Sequence, residues 1–310
     1  ASSINALPGV VSAWSDGVPM LVISGQAHTA FCKKNLLSLN GNKSVDIVKI
    51  VKPFTKYAKI VLDPSTISME LKKAYALANS GRPGPVWIDI PIDVQGMECE
   101  LQTINMLDSE IEPKFSQKVD INAVVKLASN LLSKSKRPVL LVGSGVRFAG
   151  ATKDLQRVAN ALQIPILLTR SGADSLPEGE SFYYGRPGAY GQRSANFIMQ
   201  NSDLLISIGS RLSMPTTGRN VFSFARNALK IVLADDQSII DSLVVAPDYS
   251  FVVSYKEFLK ALSNENSGGF ENYADWISRC NKWKSHFKNI YSKPIKNQDD
   301  GRIYALDTLK

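Results

Sequence analysis

The chain has 310 residues, 44% of them apolar, with 36 Lys and Arg against 28 Asp and Glu. That length supports two ordinary cores, and that composition excludes a disordered chain. The formal charge of +8 admits an anionic partner, but the lysines are scattered and lack interleaved aromatics, so no nucleic-acid partner is expected.

The cysteines are Cys32, Cys99 and Cys280, without any C-x-x-C spacing. That pattern argues against a disulfide framework and a zinc site, and favours a reducing, cytoplasmic setting. His28 and His286 are the only histidines, so no His-rich metal centre is expected. No apolar run approaches the roughly 20 residues of a membrane span, and no secretory signal is visible. Ala1 to Val11 does not read as a natural start, and the end at Lys310 is equally abrupt.

In chain order, Val18 to Ser24 is a nearly continuous apolar run closed by Gly25, the pattern of a strand buried on both faces. Ser65 to Ala78 has helical spacing, with Ser65 as N-cap and Gly81 as stop. Val86 to Ile90 is the next strand, ended by Pro91. Gln95 to about Phe115 is polar, acidic and Pro-containing, and reads as a linker. The rhythm then restarts. Helices are expected at Ile121–Ser133 and Ala149–Leu162, in a helix ending at Asn196–Gln200, and at Val252–Leu262. Strands are expected at Pro138–Val142, Ile164–Leu168, Leu204–Ile208 and Leu229–Leu233. Alternating strands and helices predict an α/β chain of open doubly wound parallel sheets, one partial domain and one complete. A Trp-bearing helix (Tyr273–Phe287) and a second polar stretch around Asn297 to Gly301 follow.

Val142-Gly143-Ser144-Gly145 is a strand end turning on glycines into a helix. Such a turn suits a phosphate, and equally serves as a plain turn. Thr169-Arg170, Gly209-Ser210-Arg211 and Asp235-Asp236-Gln237 follow three further strands, and ligands of open sheets bind at strand carboxyl ends. Gly185 to Gly191 reads as a flexible surface turn, and Gly81 to Pro85 as a structural helix-to-strand passage. His28, three residues after Gly25, is a candidate site-facing side chain. Neither a G-x-S-x-G elbow nor a P-loop is present.

Several strings resemble the thiamine-diphosphate enzymes of the acetolactate synthase and pyruvate oxidase group. They are Asn5 to Trp14, Val18 to Gln26, Asp46 to Lys56, Ser80 to Pro91 (SGRPGPVWIDIP), Tyr184 to Gly191 and Ile208 to Leu212. The resemblance implies residues 1–100 as part of a pyrimidine-binding domain and 101–117 as linker. It implies 118–265 as a Rossmann-like, six-stranded central domain, and 266–310 as a connection toward a diphosphate-binding domain. It further implies a transferase or lyase that decarboxylates a 2-keto acid and joins the product to an acceptor. Another keto-acid decarboxylase or lyase, or an inactive nucleotide-binding fragment, is the alternative. The implied cofactors are thiamine diphosphate and magnesium in the full-length parent and FAD in the central domain. The implied assembly is a homodimer or homotetramer, with no membrane partner.

The family's essential glutamate and its Gly-Asp-Gly…Asn motif are expected outside these residues, so the chain alone is expected to bind thiamine diphosphate poorly. An apolar edge and face left in residues 1–100 are expected to be covered by a partner chain or partly disordered. Gln26 matches the family's cofactor-facing glutamine. The FAD-side positions are Gly143, Gly145, Val146, Thr169, Gly188, Ala189, Tyr190, Gly191, Gly209, Ser210, Arg211, Asp235 and Asp236. Two departures count against FAD. Ala234-Asp235-Asp236 stands where the family has Asp, an apolar residue and Asp. Leu212-Ser-Met-Pro215 stands where relatives carry Phe-Asp-Asp-Arg.

Overall fold

The computed structural model describes residues 2–32, 45–98, 119–177, 179–265 and 273–288. Cys99, the expected linker at 101–117 and the polar stretch at 297–301 lie outside the described residues. The chain divides into two compact units. One is Ala1–Asp120 with Ala234–Ser242 and Phe251–Tyr255; the other is Ile121–Leu233, Leu243–Ser250 and Lys256–Lys310.

The first unit contains α1 (Leu7–Asp16), β1 (Met20–Gln26), α2 (Thr29–Cys32), α3 (Ile47–Val51), β2 (Tyr57–Ile60), α4 (Ile67–Asn79), β3 (Pro85–Pro91) and α5 (Ile92–Gln95). Its three-stranded sheet has the order β1-β3-β2, both pairs parallel. Successive side chains of β3 point to opposite faces. Val86 and Ile88 pack with Ala74 and Ala78 of α4, while Trp87 packs with Val10, Ile47 and Val51. β1 departs from the expected two-sided burial, because Leu21 is 38% and Ile23 56% exposed. Its other apolar face, Met20 and Val22, rests on the Trp87 cluster. A continuous apolar run does not distinguish a strand at the side of a sheet from one in its centre.

Ser65 is not the cap of α4. A short 3₁₀ turn at Pro64–Thr66 precedes that helix, and the Asp63 carboxylate caps the turn by accepting from Ser65 N (3.0 Å) and Ser65 Oγ (2.7 Å). α4 closes at Ser80, and Gly81 follows at φ +49.

The second sheet is built along α6 (Ile121–Lys134), β4 (Pro138–Val142), α7 (Ser144–Phe148), α8 (Thr152–Leu162), β5 (Ile166–Leu168), α9 (Arg193–Asn201), β6 (Leu204–Ile208), α10 (Met214–Thr217), β7 (Leu229–Ala234), α11 (Gln237–Asp241), β8 (Tyr249–Val252), α12 (Tyr255–Glu265) and α13 (Ala274–Lys288). The order is β5-β4-β6-β7-β8. The pairs β4–β5, β4–β6 and β6–β7 are parallel. The chain leaves β4 for β5 on one side and returns to β6 on the other, so a topological switch point lies between β4 and β6. β4 and β6 are buried throughout. α13 lies along α9, with Phe197 stacked on Phe287 at 5.3 Å, while Trp276 and Cys280 enter the core.

Three expectations change here. The expected helix from Ala149 to Leu162 begins only at Thr152, because Gly150 turns left-handed (φ +64) ahead of it, and the short helix α7 ends before Ala149. The expected helix from Val252 is preceded by strand β8. The sheet has five strands among the described residues, not six. Phe182 to Gly185 runs beside β5, with Ile166 N donating to Phe182 O and Leu168 N donating to Gly185 O, but forms only the single bridge Ile166–Tyr183. Gly185 (φ +104) and Pro187 end the extended run before a ladder develops.

Candidate functional site

The carboxyl ends of β4, β5 and β6 meet over three glycines. A Cβ on Gly143 would lie 2.1 Å from Gly209 O, and one on Gly172 would lie 2.8 Å from Gly143 C. A Cβ on Gly209 would lie 2.8 Å from Val146 N, and Gly209 is also left-handed (φ +63). Gly143 N donates to Ile208 O (2.9 Å) and Gly145 N to Gly209 O (3.1 Å), which locks the turns together. The glycines therefore serve backbone-to-backbone packing, and Gly209 among them lines a cleft.

Ser144, Thr169, Ser171, Gly209, Ser210, Arg211, Ser213 and Thr216 line that cleft, whose volume is about 280 Å³ with its open solvent included. Three of these hydroxyl side chains are more than nine-tenths buried: Thr169 at 5%, Ser210 at 6% and Thr216 at 8% exposure. Thr169 N donates to Val142 O (2.8 Å), and Thr169 O accepts from Gly172 N (3.0 Å), so its backbone is committed. Its Oγ1 is buried without a hydrogen-bond partner. Ser210 Oγ accepts from Leu212 N (3.2 Å), where Leu212 holds an unusual φ of +46. Arg211 is the single charged residue of the lining.

Of the expected positions, Thr169, Gly209, Ser210 and Arg211 line the cleft, while Gly143 and Gly145 flank its Ser144 without lining it. Val146 is a fully buried core residue. Ser144, Ser171, Ser213 and Thr216 were missed, although a density of Ser and Thr after three successive strands was the available signal.

Gly188 to Gly191 does not line the cleft. Asn196, near the start of α9, grips Gly188 by both backbone groups: Gly188 N donates to Asn196 Oδ1 (2.8 Å), and Asn196 Nδ2 donates to Gly188 O (3.0 Å). Ala189 N donates to Pro215 O (2.9 Å), at the start of α10. The loop is a built and docked element and not the flexible turn its composition suggests, though Tyr190 itself is 83% exposed. Asn196→Ala is expected to cost about 1–2 kcal/mol, because the carbonyl and amide of Gly188 lose their partner. A urea midpoint with unchanged slope checks this.

Asp235 and Asp236 are committed elsewhere. Tyr255 Oη donates to Asp235 Oδ1 (3.0 Å) and accepts from Asp235 N (2.9 Å). Burial raises the Asp235 carboxyl above its ordinary range, and the Tyr255 hydrogen bond opposes the rise. The Asp236 carboxylate is the N-cap of α11, accepting from Ser238 N at 2.7 Å.

In the first unit, the end of β1 carries a buried hydrogen-bond chain. Trp87 Nε1 donates to Ser24 Oγ (2.7 Å), and Ser24 Oγ donates to Asp89 Oδ1 (2.5 Å). Gln26 Nε2 donates to Asp89 Oδ2 (2.8 Å) and to Val45 O (2.9 Å), while its Oε1 accepts from Ala27 N (2.9 Å). The whole amide is therefore held by protein. His28 is exposed, with Nδ1 accepting from Ala30 N (3.2 Å) and lying 3.5 Å from Asp93 Oδ2. Asp93 is fixed in turn by Thr29 N (3.0 Å) and Thr29 Oγ1 (2.7 Å).

Among the described residues no group of three or more His, Cys, Asp or Glu could hold a metal ion. Among them, too, no helix is long and apolar enough to cross a membrane.

The sequence profile of the thiamine pyrophosphate enzyme central domain matches residues 125–262. The chain is 30% identical to a probable acetolactate synthase large subunit of Methanococcus aeolicus, over 99% of this chain and 51% of that protein. It is 32% identical to the acetolactate synthase large subunit of Corynebacterium glutamicum, over 93% of this chain and 45% of that protein. Against the isozyme 3 large subunit of Escherichia coli it is 28% identical, over 95% and 51%. The chain spans about half the length of the curated relatives it matches. Residues 125–262 thus match the central domain of thiamine pyrophosphate enzymes, in a chain similar along nearly its whole length to acetolactate synthase large subunits.

Proposed function

We propose that the full-length protein containing this chain is a thiamine-diphosphate- and magnesium-dependent enzyme. It acts on a 2-keto acid such as pyruvate, releases CO2 and passes the remaining two-carbon unit to an acceptor. The observation that carries this reading is similarity to acetolactate synthase large subunits running through both units. We assign residues 1–100 to part of the pyrimidine-binding domain, 118–265 to the central domain, and 101–117 and 266–310 to connections. The assembly is a homodimer or homotetramer, supported by the exposed Leu21 and Ile23 face of β1.

Thiamine diphosphate, when bound, supplies the electron sink for decarboxylation. The described residues do not themselves suit its diphosphate and magnesium, because they contain no acidic cluster able to hold the ion. We assign those contacts to the remainder of the full-length protein. This chain contributes rigid positioning: the Trp87–Ser24–Asp89 chain fixes Gln26 at the end of β1.

The FAD suggested by the resemblance does not suit the residues present. Both carboxylates after β7 are engaged by Tyr255 and by the cap of α11.

The test is CO2 release from pyruvate by the full-length protein. Release that needs both thiamine diphosphate and magnesium is expected. No release with pyruvate or longer 2-keto acids overturns the reading. Calorimetry on the 310-residue chain is expected to show no tight thiamine diphosphate binding, and tight binding would refute the assignment of those contacts to the remainder.

A further inference from the structure

We propose that His28 is a proton-operated latch on the start of α2. Neutral, its Nδ1 accepts from Ala30 N; protonated, the same atom donates to Asp93 and releases Ala30 N. The inference concerns the first unit alone and does not depend on the keto-acid reading.

What holds α2 is the starting point. None of its four residues is buried, so apolar packing does not fix it. Side-chain acceptors do. Asp93 on α5 takes Thr29 N (3.0 Å) and Thr29 Oγ1 (2.7 Å), and His28 Nδ1 takes Ala30 N (3.2 Å). His28 O accepts from Phe31 N (3.0 Å), so His28 stands as the cap of this short helix and its ring serves the second helical amide. Just upstream, Ala27 N is held by Gln26 Oε1 (2.9 Å), an amide oxygen that does not titrate. The change therefore begins at His28. Imidazole is the side chain whose ordinary titration falls between about pH 5 and 8, which sets it apart from the carboxylate and amide acceptors beside it.

One atom has two exclusive uses. Accepting needs the Nδ1 lone pair, and donating needs a proton on it. Nδ1 lies 3.5 Å from Asp93 Oδ2, and the ring is 54% exposed, so water reaches it. An imidazolium has only to close to the roughly 2.7–2.9 Å of a charge-assisted bond. Asp93 is ready as its partner. Burial raises the Asp93 carboxyl, but the Thr29 hydrogen bonds, its own backbone and the His28 charge outweigh that and hold it below its ordinary value. The other titratable groups nearby are occupied. Burial, then Asp89, Asp93 and Asp46, raise the Cys32 thiol, which donates to Ala27 O (3.5 Å) and His28 O (3.6 Å). Asp89 on β3 is engaged by Ser24 and Gln26, and Asp46 at the cap of α3 pairs with Lys49 (2.9 Å). Asp93 is thus the acceptor left for the imidazolium among these groups.

The experiment is NMR on the full 310-residue chain, labelled with nitrogen-15 in histidine and alanine and titrated from about pH 8 to about pH 5. His28 and His286 are the only histidines, so two ring systems are followed. At the alkaline end the His28 ring is expected to carry its hydrogen on Nε2. On acidification the Ala30 amide proton is expected to shift upfield, as an amide losing its acceptor does, in one step that tracks the His28 ring. His28→Asn keeps a cap oxygen for Ala30 N at every pH, so its Ala30 signal is expected to lose the step. Asp93→Asn removes the opposite charge, so its step is expected at lower pH than the parent's. His286→Gln is expected to leave the step unchanged. A neutral His28 ring with its hydrogen on Nδ1 overturns the proposal, because that atom then cannot accept, and this reading needs no variant. So does an Ala30 amide that stays still while the His28 ring titrates, a step that survives His28→Asn, or one left at the parent's pH by Asp93→Asn.

Discussion

Gly143→Ala is expected to destabilise the second unit by about 3 kcal/mol or more, near or above the upper end of ordinary overpacking costs. The reason is not conformational. Gly143 has φ −102 and ψ 179, an extended geometry open to any residue. The obstruction is Gly209, whose carbonyl oxygen would lie 2.1 Å from the new methyl while accepting from Gly145 N at 3.1 Å. Ser210 Cα, at 2.7 Å, blocks the other way out. Because these are backbone atoms, no side-chain rotation relieves them. Two comparisons separate the causes. Gly150 is left-handed at φ +64 with nothing within 4 Å of a built Cβ, so Gly150→Ala pays only the left-handed backbone penalty, about 1–2 kcal/mol. Gly209 combines φ +63 with contacts of 2.8 Å to Val146 N, so Gly209→Ala is expected to cost as much as Gly143→Ala or more. Urea midpoints for the three variants test the ranking. Gly143→Ala within 1 kcal/mol of the parent would show that the turns do not interlock.

The glycines also show how far the sequence could be read. Their positions after strands were visible, and β4 and β6 were legible to the residue, because a five-residue, nearly continuous apolar run between turn signals is too short for a helix and suits a strand buried on both faces. Which partner each glycine admits was not legible, since close approach is a property of two distant segments. The same limit applies to β1, whose apolar run gave no hint that Ile23 stands 56% exposed. β2 and β8, four residues each, carry too little periodicity to register. Of the cleft, Thr169, Ser210 and Arg211 were found by following strand ends. Asp235 was placed there by the same rule and turned away, because Tyr255, twenty residues later, offers a buried donor. A carboxylate at a strand end goes to the nearest donor that burial provides, and that donor is set by tertiary structure.

Asp89→Ala is expected to cost the first unit about 3–5 kcal/mol, the range for removing one partner of a buried charged hydrogen-bond network. Asp89 is 1% exposed in the central strand, and every donor around it converges on its carboxylate. Trp87 Nε1 occupies Ser24 Oγ, which directs the Ser24 proton to Asp89, and Gln26 Nε2 supplies the second bond. Alanine leaves the Ser24 hydroxyl and one of the two Gln26 Nε2 hydrogens unpartnered, and leaves a void where the carboxylate stood. The pH dependence follows from the direction of the shift. Burial raises the Asp89 carboxyl above its ordinary 3.8, with the Ser24 and Gln26 hydrogen bonds opposing. Between 3.8 and that raised value the folded chain holds a proton that the unfolded chain has released. Folding is therefore favoured most on the acid side of the window, and this contribution is lost as pH rises through the folded value. Asp235, also raised by burial, acts with the same sign. Asp89→Asn cannot titrate, so its stability should fall less steeply with rising pH than the parent's, and Asp89→Asn with Asp235→Asn should flatten the slope further. Asparagine retains one acceptor but sets its amide against Gln26 Nε2, so the single variant should lie between the parent and Asp89→Ala at neutral pH. Urea midpoints from pH 4 to 7 measure both effects. Identical slopes for parent and double variant would show that neither carboxyl changes its proton affinity on folding.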